Sequence, residues 1–149
     1  MTDPRVIEVV RRVDASPEEV WPYLTDGELW RRWQGVEARV EAVPGGVYRM
    51  EMADGSYASG KVVEVVPYRR IAFTWGWTGA PFALEPGSTR VEITLEPDGD
   101  GTLVRLVHRD LPDDLRAPHD QGWIHYLGRL AIAASGADPG EDRTGESET

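Results

Sequence analysis

Six tryptophans are the most unusual chemical resource of this chain. Trp30, Trp33, Trp75, Trp77 and Trp123 can line a pocket for a flat apolar ligand, because indole faces stack and indole N–H groups orient a polar edge. They can equally fill a core, which is the assignment for Trp21. His108 follows Val104 and Leu106 on the apolar side of its strand. A histidine there is either a satisfied core residue or an acid, base or donor to a ligand carbonyl. Tyr48, Met50 and Met52 share one strand face, with Tyr57 after the next turn. They would supply an acceptor and an adaptable wall, or simply fill an irregular core. Arg109, beside Asp110, forms a surface ion pair of little energy or turns inward to bind a carboxylate.

Other chemistries lack their parts. There is no cysteine, which excludes disulfides, thiolate catalysis and Cys-ligated metals. His119 and His125 stand six apart, not the four of two ligands on one helical face, and no HExxH occurs. No metal or cofactor is expected. Residues 55–60 are not G-x-S-x-G, and Gly60-Lys61 lacks the spacing of a phosphate loop. Glu18/Glu19 and Asp113/Asp114 belong to a helix start and a turn, where acids have structural reasons to be.

These residues are carried by a recognisable series of elements. Residues 5–13 read as a strand. Ser16-Pro17-Glu18-Glu19 is a capping box with proline at the first helical position, opening a short helix through Trp21 and Leu24. Pro22 shortens or kinks it. A second short helix carries Leu29, Trp30 and Trp33 and stops at Gly35. Strands are expected over 36–43, 47–52, 57–66, 70–77, 89–96 and 102–109, with Asp54-Gly55 as a hairpin turn and 79–88 as a loop. Residues 111–117 connect to a helix opened by Pro118 and running to about Ser135, with Trp123, Leu127, Leu130 and Ala134 at helical spacing. Strands run together rather than alternating with helices, so the class is α+β, an antiparallel sheet covered by the last helix.

The formal net charge of −10 argues against nucleic acid and against an anionic membrane surface. Asp138, Glu141, Asp142, Glu146 and Glu148 against Arg143 account for −4 of it. No run is long enough to span a membrane, and the N-terminus does not read as a signal peptide, so no membrane insertion and a cytoplasmic location are expected. Sixteen basic residues include one lysine, Lys61, and asparagine is absent, a bias expected of a GC-rich bacterial genome.

The order of elements and six local strings resemble the Bet v 1-like, or START-like, helix-grip superfamily (SRPBCC), and within it the activator of Hsp90 ATPase homology domain family. The strings are Asp14-Ala15-Ser16-Pro17-Glu18-Glu19-Val20-Trp21, Trp30-Arg31-Arg32-Trp33, Pro44-Gly45-Gly46, Gly60 to Pro67 leading to Arg70 to Trp75, Thr102 to His108, and Gly122-Trp123 with Tyr126-Leu127. The resemblance covers residues 5–135. It implies a curved sheet of about seven strands wrapped on a long C-terminal helix, two short helices after strand one, and a hydrophobic internal cavity. The domain is expected over 1–135, followed by an acidic disordered tail, 136–149.

The preferred expectation is a module binding a small hydrophobic or aromatic molecule between sheet and C-terminal helix. Trp33, Met50, Tyr57, Phe73, Trp75, His108, Trp123 and Leu127 are the expected lining. The alternatives are a cofactor-independent enzyme of the polyketide cyclase/aromatase or lyase-like kind, with His108 or Tyr57 moving a proton, and a protein-interaction module regulating a chaperone. An enzyme needs His108 or a tyrosine exposed to the cavity. A binder needs only volume and apolar walls.

Overall fold

The computed structural model describes residues 6–79 and 84–140. Strand β1 (Ile7–Val13) is followed by three single-turn helices, α1 (Pro17–Val20), α2 (Pro22–Thr25) and α3 (Gly27–Trp30). Then come β2 (Glu37–Val40), β3 (Val47–Glu51), β4 (Tyr57–Val66), β5 (Arg70–Thr78), β6 (Leu84–Asp98), β7 (Gly101–Arg109) and a long helix, α4 (Asp113–Ala134). The strands form one curved antiparallel sheet in the order β1-β7-β6-β5-β4-β3-β2. The apolar face of the sheet and α4 share a single core. No helix among the described residues is long and apolar enough to cross a membrane.

The capping box forms as the sequence requires: the Ser16 hydroxyl accepts from Glu19 N, and the Ser16 amide donates to the Glu19 carboxylate. The first helix is broken at Trp21 because Pro22 has no N–H to continue the ladder and restarts the chain as α2. Three short turns therefore replace the expected two. Gly35 ends this region at φ 75°, a left-handed conformation that favours glycine. A Cβ there would also meet Met50 Sδ and Glu51 O, both at 2.6 Å.

Beyond the single-turn helices, three boundaries differ from expectation by more than two residues, the first being β2, which stops at Val40 rather than Val43. Residues 84–88 are the start of β6, not loop. The β5–β6 register shifts between Trp75 and Trp77, where proline is tolerated in a strand, and Pro86 sits beside this irregularity. At Gly76 the two backbones come so close that a Cβ would stand 2.0 Å from Glu85 O. Residues 80–83 of the expected loop lie outside the described residues. Helix α4 begins at Asp113, so Pro118 lies inside it rather than opening it. The cost is one amide bond, the one Pro118 would have donated to Asp114 O.

The outer sheet face carries cross-strand ion pairs. Glu92 accepts from Arg70 at 2.7 Å and Arg109 at 2.6 Å, so Arg109 turns outward to a carboxylate of its own chain. Burial pushes the Glu92 carboxyl up, but the bonds and charges of Arg109 and Arg70 outweigh it and hold it below its ordinary value.

Candidate functional site

Alternation along β3, β5 and β7 sends Tyr48, Met50, Phe73, Trp75 and His108 to the face covered by α4. Helix α4 returns His119, Trp123, Tyr126 and Leu127 to the same space. The result is a continuous aromatic cluster. Trp30 stacks on Trp33 at 5.1 Å and meets Phe73 at 5.7 Å. Trp75 lies 5.6 Å from Tyr48, 5.0 Å from Trp123 and 5.9 Å from His108. Each ring removes roughly 150–250 Å² from water, so this cluster is a main source of core stability.

Most polar atoms in the cluster have partners. Trp30 Nε1 donates to Gln34 Oε1 at 2.9 Å, and Trp33 Nε1 to Tyr23 O at 2.9 Å. Trp123 Nε1 donates to His108 Nδ1 at 3.0 Å. The Thr89 hydroxyl donates to Trp75 O at 2.8 Å, so it accepts from His108 Nε2 at 2.8 Å. His108 is therefore the Nε2–H tautomer with both nitrogens engaged. His119 is similarly held, accepting from Trp77 Nε1 at 3.0 Å and donating from Nδ1 to Leu115 O at 2.9 Å. Burial, reinforced by the neighbouring His119, pushes His108 well below the ordinary 6.5. Burial also lowers His119, partly opposed by the Leu115 carbonyl. Two neutral imidazoles thus stand 5.3 Å apart, centroid to centroid.

Two polar atoms break this pattern. Tyr48 Oη and Trp75 Nε1 are buried and have no hydrogen-bond partner. Their rings stack at 28°. An unsatisfied buried donor costs about 1–3 kcal/mol, so such a pair calls for a water or a ligand.

Seven of the eight expected lining residues are buried together in this core: Trp33, Met50, Phe73, Trp75, His108, Trp123 and Leu127. Tyr57 is not among them. The turn at Asp54–Ser56 pairs Tyr57 with Glu51, which places it on the outer face, where the Arg49 guanidinium lies 3.8 Å from its ring centroid. His119 joins His108, whereas His125 is exposed and packs on Tyr126.

The sequence reading missed Thr89, whose hydroxyl fixes the His108 tautomer, and Arg129. Arg129 is buried in α4 and donates only to backbone carbonyls: Trp33 O at 2.9 Å, Arg32 O at 3.4 Å, Pro139 O at 3.1 Å and Gly140 O at 2.8 Å. It ties the segment after α3, and residues 139–140, to the helix. Nothing local in the sequence marks either residue. Tyr48 was legible as a neighbour of Met50 in the alternation.

The profile of the family described as activator of Hsp90 ATPase homolog 1-like protein matches residues 14–135. The chain is 28% identical over 111 residues to activator of 90 kDa heat shock protein ATPase homolog 1 of Mus musculus, covering 74% of this chain and 31% of the mouse protein. It therefore spans about a third of that relative's length. Among solved structures, an AHSA1-like protein from Rhizobium etli is 40% identical, with 100% of this chain and 96% of that one covered and a TM-score of 0.71. CalU16 from Micromonospora echinospora is 28% identical, with 96% and 73% covered and a TM-score of 0.77.

Proposed function

The chain belongs to the activator of Hsp90 ATPase homolog 1-like family, and we propose that it holds a small hydrophobic, aromatic molecule between the sheet and α4 without chemically converting it. The observation that carries this reading is the pair Tyr48 Oη and Trp75 Nε1, unpartnered in a cluster whose other ring nitrogens are all engaged. Aromatic walls with a few open polar atoms are what a small-molecule site needs. Turnover is the weaker reading. Both nitrogens of His108 are engaged, its ring is held neutral, and Tyr57 faces away. A chaperone-docking role rests on the mouse relative's name, borne by a protein more than twice this length. The exposed Ile124 and Ile132 on α4 would be its apolar contacts. A cytoplasmic site of action goes with this reading.

The test is a mass spectrum of the protein purified from its own cells, native against denaturing. A discrete extra mass that leaves on denaturation supports the binding reading. A clean mass, together with no binding of small aromatic compounds in titrations, sinks it and shifts weight to a protein partner.

A further inference from the structure

We infer that the molecule held at this cluster is neutral and planar, with a polar edge of hydrogen-bond acceptors such as a ring carbonyl oxygen, and is not an amine or other cation. This rests on the binding reading above and goes on to the chemistry of the ligand.

The interior offers few polar groups to a ligand. Trp75 Nε1–H can only donate. The Tyr48 hydroxyl can donate or accept as long as it keeps its proton, and burial, aided by Tyr126, holds its pKa well above 10. It therefore remains an O–H group, never a phenolate that would attract a cation. Both open atoms are thus best met by an acceptor. Their rings are stacked neighbours at 5.6 Å, so the two open atoms belong to one site.

Charge is excluded from either side. The one carboxylate among the buried polar residues described is Glu92, and it lies on the outer face, held by arginines. A buried ammonium would have no counter-ion in the cluster. Indole faces alone attract cations. A cation seated on them, however, would leave Trp75 Nε1–H, which can only donate, unsatisfied and set its charge against that dipole. An anion fares no better. The buried guanidinium of Arg129 is spent on four backbone carbonyls, and His108 and His119 are held neutral.

The experiment uses two matched triads with the full chain: 1-indanone, indane and 1-aminoindane, and 9-fluorenone, fluorene and 9-aminofluorene. Each triad keeps the ring skeleton and exchanges a carbonyl for hydrogen or for a cation. Affinities are read by calorimetry, and the Trp75 indole N–H is followed by NMR. The ketone of at least one triad should bind about ten-fold or more tighter than its hydrocarbon, a step that each 1.4 kcal/mol of hydrogen bonding supplies, and the amine should bind weakest. The Trp75 N–H resonance should move downfield with the ketone alone. Tyr48→Phe should narrow the ketone's advantage over the hydrocarbon without abolishing it, because Trp75 Nε1–H remains as a donor. If the hydrocarbon or the amine binds as tightly as the ketone, the inference about ligand chemistry fails while the binding reading stands. If none of the six compounds binds, this inference fails, and the binding reading fails with it when the protein from its own cells also carries no extra mass.

Discussion

Trp123 Nε1–H donates to His108 Nδ1 at 3.0 Å, and this bond joins α4 to β7 across the core. It has only one polarity. Protonated His108 would present N–H to N–H, and the helix would lose this polar tie to the sheet. His119 is in the same position toward Trp77. The two Trp–His bonds therefore hold only while both rings are neutral.

Stability should accordingly fall in mild acid. Both rings titrate below 6.5 in the folded chain, so the unfolded chain binds more protons once pH drops under that value. The contribution is complete above about 6.5 and is lost as pH falls toward the folded values, by up to about 1.4 kcal/mol per pH unit for each histidine. Carboxylates held below their ordinary values, such as Glu92, act in the same direction only at lower pH, around 4 and below. Urea midpoints at about pH 7.5 and about pH 5.5 check this. An unchanged midpoint would mean that the histidines are not held neutral.

Thr89→Val should cost about 2 kcal/mol. The substitution nearly preserves shape but leaves His108 Nε2–H and Trp75 O without their shared hydroxyl. Thr89→Ser keeps that hydroxyl and should recover most of the loss. Equal denaturation midpoints for the wild type and the valine variant would show that the hydroxyl is dispensable.

Much of this was legible in the sequence, and what was not shares a physical cause. The capping box at Ser16–Glu19, the helix break at Pro22 and the sheet alternation depend on neighbours within a few residues, so they read directly. Tyr57 was assigned to the inner wall because the turn after Met52 leaves the register open, and a shift of one residue moves a side chain to the other face. Pro118 looked like a helix start because nothing local shows that one missing amide bond is outweighed by the burial of Leu115 and His119 on the same helix. The partners of His108 come from β6 and α4, and those of Arg129 lie about 10 to 97 residues away. Such contacts exist only once the chain has closed.

Tyr48→Phe should leave the free protein as stable as before, or stabilise it by up to about 1 kcal/mol. The change removes a buried hydroxyl that has no partner and keeps the ring packing on Phe73 and Trp75. A site kept for a ligand often costs stability in its absence. Thermal melts of the ligand-free protein decide this. A clear loss of stability would mean that the hydroxyl is already satisfied in the free protein, and the case for a ligand at Tyr48 would fall.

Arg129→Met should destabilise the chain by about 2–3 kcal/mol. Methionine keeps most of the apolar stem, so the loss reports on the guanidinium. Without it, the carbonyls of Arg32, Trp33, Pro139 and Gly140 lose a common donor. Arg129→Lys should rescue little despite keeping the charge. An ammonium has three donors and no planar fork, so it cannot serve both the segment after α3 and residues 139–140. Loosening should appear first where those carbonyls are, as faster amide hydrogen exchange in α3 and the residues up to Gly35, ahead of the central strands. Trp33 belongs to that segment and stacks on Trp30, so the variant should also weaken whatever the aromatic cluster binds. If lysine restores full stability, the charge rather than the four-carbonyl geometry is what matters at this position.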